Sequence, residues 1–215
     1  RVLRTLNNEA NEDYLQQIAN VDPKSGEGID SCLWSIHIFY LMTSYTGVAT
    51  PTAINDIRQS VEATREIAFR ILPPFLESPS EDVRCNTAMS LAYYGWKDSY
   101  PYVMACGETF TDIERKATVL AILGDKRAAT WIIDNYKKRY IEENKSSAWG
   151  SDPGKWILIN ALYPFATPEI LPFINQIISD NARNYDVKAR AKNVRNRIYE
   201  LYPETKKAAE AKIKK

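Results

Sequence analysis

The chain has 215 residues, 45% of them hydrophobic, enough to bury a core without metal or disulfide staples, which excludes disorder as the default. Its 28 basic and 27 acidic residues leave a net charge of +1, so no global field draws it to nucleic acid or an anionic membrane. Apolar residues recur with helical period and alternating β-branched runs are absent, which predicts an all-α fold. Leu6, Ala10, Tyr14 and Ile18 form a first stripe that stops at the loop VDPKSGEG. The next helix, about residues 29–45, is apolar on most sides and ends at Gly47. A third starts with Thr50 as N-cap and Pro51 at the first helical position, carries Ile54, Ile57, Val61, Ala68 and Ile71 on one face, and stops at Pro73 and Pro74. Ser78 with Glu81, and Thr111 with Glu114, have capping-box spacing, and Thr167 followed by Pro168 marks another start.

The order of helix after helix invites a search for internal repeats. Ala88, Leu91, Ala92 and Gly95 recur at Ala117, Leu120, Ala121 and Gly124 at an interval of 29 residues, while Val83 and Ile113 are 30 apart. Asp186, Val187, Ala191 and Val194 then match Asp112, Ile113, Ala117 and Leu120 at a constant interval of 74. Between them lies GKWILINALYPFATPEILPFI, an apolar helix, a tight turn at Ala166 and Thr167, and another helix. Three or four repeats follow from these matches, preceded by less regular helices.

These residues resemble the HEAT-like repeat family, in particular the short repeats of phycobilin lyases. Most of the family's pattern of an acidic turn, a Val-Arg pair, spaced alanines, Ala-Leu and a closing glycine is reproduced at Asp82, Val83, Arg84, Ala88, Leu91 and Gly95, and Asp125 with Ala128 matches its link into the next helix. The resemblance covers about residues 77–202. It implies an α-α superhelix of stacked antiparallel helix pairs forming one solenoid domain. In that reading residues 1–75 are an N-terminal cap, 76–202 the repeats and 203–215 a charged tail. Small residues at Ala88, Ala92, Ala117 and Ala121 fit the close helix approach such stacking needs.

In HEAT-like proteins the second helix of each pair lines the concave side. Its expected non-core positions here are Asn86, Ser90, Tyr93, Lys116, Asn160, Lys188, Lys192 and Arg195, a mixture of amide, aromatic and basic groups that suits a protein or peptide partner. Trp149, in the polar loop NKSSAWGSDPG, is either an exposed anchor or a lid pinned to the scaffold. Trp34 and Trp131 are expected in the core, and Trp96 over the turn after Gly95. His37, flanked by isoleucines, is expected as a hydrogen-bonded core residue. Cys32, Cys85 and Cys106 sit among apolar residues, are odd in number and form no CxxC pair, so core thiols are expected in preference to a disulfide.

No metal-ligand cluster, phosphate loop or nucleophile motif is present, so no catalytic residue, cofactor or metal is assigned. The leading expectation is a non-catalytic interaction scaffold that grips a protein partner on its concave face. Two alternatives come from the resemblance: a DNA-binding enzyme of the alkylpurine DNA glycosylase type, with Trp156, Asp152 and Lys188 in the roles, and a bilin lyase-like maturation factor. Near-neutral charge argues against the first, because phosphate contacts dominate nucleic-acid affinity. No apolar run reaches the roughly 20 residues a membrane-spanning helix needs. The expected compartment is the cytoplasm, although a start at Arg1 leaves a removed secretion or lipoprotein signal open.

Overall fold

The computed structural model describes residues 12–24, 59, 61–107, 110–142, 153–180 and 185–213. Among them every regular element is helical, as the periodicity predicts. The predicted helix over 29–45, with Cys32, Trp34 and His37, lies outside the described residues, as do the Thr50–Pro51 start, Asp152 and Trp149. The chain divides into two compact units, Arg1–Asp125 and Lys126–Lys215.

In the first unit, α1 covers residues 12–19 and turns Leu15 and Ile18 inward. α2 is Glu62–Ile71. It stops where two prolines open a 3₁₀ segment, Pro73–Glu77, since neither can donate to a continuing helix. Then come α3 (Glu81–Tyr93), α4 (Tyr100–Ala105) and α5 (Phe110–Leu123). The cap of α3 is Ser80, whose side chain accepts from the Val83 amide at 3.4 Å, and not Ser78. The Arg84 guanidinium donates to the Ser78 and Pro79 carbonyls at 2.6 and 2.9 Å, which holds the chain extended for two residues more. Thr111 lies inside α5, which starts at Phe110, so it does not precede the helix as the spacing suggests.

α3 packs against the 3₁₀ segment, α4 and α5 together. Val83, Ala88, Leu91 and Ala92 are buried, and so are their counterparts Ile113, Ala117, Leu120 and Ala121. Burying a Val, Leu or Ile side chain contributes roughly 1.5–3 kcal/mol, against about 1 kcal/mol for a cap, so these repeated positions decide the packing. Both repeat glycines have left-handed backbone, Gly95 at φ 88° and Gly124 at φ 72°. The ends differ in detail. After α3, the Trp96 amide donates to Leu91 and the Gly95 amide to Ala92, a Schellman motif, whereas after α5 the Gly124 amide donates to Leu120 alone.

Cys85 on α3 and Cys106 at the end of α4 are joined by a disulfide. This corrects the expectation of free core thiols. The two positions are 21 residues apart in sequence but 5.4 Å apart at Cα, a proximity made by α4 folding back on α3.

The second unit holds α6 (Arg127–Lys137), a π-helical turn over Lys138–Glu142, and α7 (Pro153–Ala161). Short 3₁₀ segments at Tyr163–Phe165 and Pro168–Ile170 flank the expected turn at Ala166 and Thr167. α8 (Leu171–Ser179), α9 (Tyr185–Leu201) and α10 (Pro203–Ile213) complete it. α9 packs against α7, α8 and α10 through Val187, Ala191, Val194 and Ile198. Tyr136 of α6 meets Phe173 of α8 edge-on, ring centres 5.5 Å apart. Trp131 is half-buried and not a core residue as expected.

Candidate functional site

The residues expected on a partner face separate by unit. On α3, Ser90 and Tyr93 are buried and Asn86 is half-buried. The Ser90 hydroxyl donates to the Asn86 carbonyl at 2.9 Å, and the Tyr93 ring stands edge-on to Tyr94 at 5.8 Å. Asn86 Oδ1 accepts from Arg115 Nη2 at 2.8 Å. Lys116 on α5 is fully buried, its Nζ donating to the Cys106 carbonyl at 2.6 Å. The placement of Ser90, Tyr93 and Lys116 outside the core is therefore corrected. A helical wheel assigns one face to the core, but α3 is enclosed from the 3₁₀ segment, α4 and α5 at once, and residues 87–94 are buried without a gap. Lys116 has become an internal cap: a cation at the C-terminal carbonyl of α4, where the helix dipole favours it.

Beside the disulfide, Glu81, Arg84, Cys85, Tyr102, Ala105 and Cys106 line a cavity of about 130 Å³. That is well below the roughly 300–1,000 Å³ of a drug-sized ligand site. At the C-terminal end of α3, burial pushes the interior phenol of Tyr94 up to about 12, with the Thr64 hydroxyl offsetting part of the rise.

The second unit is arranged otherwise. Along α9 the buried stripe is Val187, Ala191, Val194 and Ile198. One residue further on in each turn, about 100° round the helix, come Lys188, Lys192, Arg195 and Tyr199, with Tyr185 beginning the same row. Lys192 is exposed, Lys188, Arg195 and Tyr199 are half-buried, and Tyr185 is 81% exposed. The Arg195 guanidinium lies 5.9 Å from the Tyr199 ring centre. No ion pair engages Lys188, Lys192 or Arg195 among the described residues.

The opposite flank of α9 is engaged internally. Arg190 lies over the Trp156 ring at 5.6 Å and Arg197 pairs with Glu200 at 3.2 Å. Trp156, named for the DNA glycosylase alternative, thus has a guanidinium over its ring. Asn160, on α7, is half-buried, and its Nδ2, like Arg195 Nε, is enclosed without a hydrogen-bond partner among the described residues. Each such donor costs about 1–3 kcal/mol.

The charge is segregated in the same sense. The first unit carries 10 Lys and Arg against 17 Asp and Glu, a net −7, and the second 18 against 10, a net +8. The overall +1 hides both. This balance was open to inspection in the sequence once a boundary at Asp125 was known.

Among the described residues no group of His, Cys, Asp and Glu is placed to hold a metal ion, and no helix is long and apolar enough to cross a membrane. Comparison with protein-family models, with curated proteins and with solved structures finds no match to this chain.

Proposed function

We propose that the chain is a non-catalytic interaction scaffold of HEAT-like helix pairs that holds a protein partner, with α9 as the principal contact. The observation that carries this reading is the row Tyr185, Lys188, Lys192, Arg195 and Tyr199, whose three cations have no ion-pair partner among the described residues. Arg and Tyr are enriched among the residues that dominate interface energetics, and such anchors cluster. The matched burial of the α3 and α5 repeat positions, with left-handed glycine at both ends, supports the repeat reading behind it. Affinity capture with the full chain, compared with a Tyr185→Ala/Lys192→Glu variant, tests the assignment. A partner retained equally by both proteins would remove α9 from the interface.

The working compartment in this reading is an oxidising one, in place of the expected cytoplasm, because a disulfide such as Cys85–Cys106 persists where thiols are not kept reduced. Thiol labelling of the protein as isolated from its native cell checks this, the expected result being no reaction at Cys85 or Cys106.

A further inference from the structure

We infer that the partner segment seated on α9 is an acidic amphipathic helix, with carboxylates repeating at the spacing of Lys188, Lys192 and Arg195. The inference rests on the scaffold reading above and adds the chemistry of the occupant. It follows from three observations. The row contains three cations, two tyrosines and no carboxylate. The acidic residues of α9 lie elsewhere on the helix, with Glu200 already holding Arg197. The unit that carries the row has a net charge of +8, so its field favours a negatively charged occupant beyond the immediate contacts.

The spacing selects a helix among acidic partners. Lys188 to Lys192 is one i,i+4 step and Lys192 to Arg195 one i,i+3 step, rises of about 6 and 4.5 Å along the axis. A second helix lying alongside repeats its own side chains at the same rises, so glutamates spaced four and then three residues apart meet all three cations together. An extended chain, whose same-face side chains recur at about 6.6–6.8 Å, falls out of register over these steps. Tyr185 and Tyr199 bracket the cations, roughly 21 Å apart along the helix, and give the ends of the contact apolar area that charge alone lacks. Arg195, held over the Tyr199 ring, presents its guanidinium with less freedom to lose on binding.

The test uses the full chain and fluorescent synthetic peptides of about 20 residues. One places glutamates at four-three-four spacing along one helix face, and another has the same composition with the glutamates dispersed around the helix. The expected result is tighter binding of the in-register peptide by on the order of 10-fold at low salt, weakening towards about 0.3 M salt and lost in Lys192→Glu. Lys192 is exposed, so that variant keeps its fold, and circular dichroism confirms it. Equal affinity for both peptides overturns the helical register. Tighter binding of an oligothymidylate overturns the protein occupant in favour of nucleic acid, and salt-sensitive self-association abolished by Lys192→Glu identifies a second copy instead. Specific capture of a non-acidic protein that Lys192→Glu leaves intact would overturn this inference while the scaffold reading stands. Failure of every face to retain a protein would end both.

Discussion

α3 and α9 are written in similar code and end up in opposite positions. Each has a stripe of Val, Ala and Leu or Ile at helical spacing, and each has polar residues beside that stripe. On α3 those polar residues are closed in by the 3₁₀ segment, α4 and α5, and hydrogen-bond within the first unit. On α9 one flank is stacked and paired internally, while the other keeps three cations without an ion pair. Periodicity reports which face is buried first; it does not report how many neighbours a helix will have. That number comes from the chain's path, and it separates an internal lysine from one available to a partner.

Lys116 and Lys192 give the sharpest measure of that difference. Lys116→Ala should destabilise the first unit by about 3 kcal/mol, because it removes a buried charged donor and leaves the Cys106 carbonyl without it. Lys192→Ala should stay within about 0.5 kcal/mol. Equal effects in urea titrations would erase the contrast between the units. Next comes the disulfide: Cys85→Ser/Cys106→Ser should lower stability by about 3 kcal/mol for a loop of 21 residues, with the loss confined to the first unit in hydrogen exchange.

Tyr94 links the same enclosed region to pH. Its folded-state phenol is raised from 10.0 to about 12 by burial, so its contribution is fully present below pH 10 and is lost as pH rises through that window. The alkaline loss should reach roughly 2–3 kcal/mol and be absent in Tyr94→Phe, which stability curves between pH 9 and 12 will show. The smallest expected loss within the enclosed regions is at the two helix-ending glycines. Gly95→Ala and Gly124→Ala should each cost about 1–2 kcal/mol from left-handed backbone. At Gly95 a Cβ meets nothing within 4 Å, so a larger loss there would mean the turn does more than end a helix.

Much of the architecture was legible. The helical class, the stop at Pro73, the start at Pro168, the turn at Ala166 and the burial of Ala88, Leu91, Ala117, Leu120, Ala191 and Val194 all follow from spacing and from residues with restricted backbones. What stayed hidden depends on contacts between segments distant in sequence. Ser80 displaces Ser78 as the cap because Arg84 holds the preceding carbonyls. Cys85 meets Cys106 because α4 folds back on α3, a fact no cysteine count contains. Of the proposed surface, Lys188, Lys192 and Arg195 were named from the sequence, whereas Tyr185 and Tyr199 needed the register of α9 relative to its buried stripe.

The split between a −7 and a +8 unit has a practical consequence at the bench. A protein with a sequence pI near 7.8 is ordinarily expected to pass through both kinds of ion exchanger close to neutral pH. With its charge divided this way, the chain presents each resin with a half it can hold, and it should be retained on cation- and anion-exchange media alike, eluting from both with modest salt.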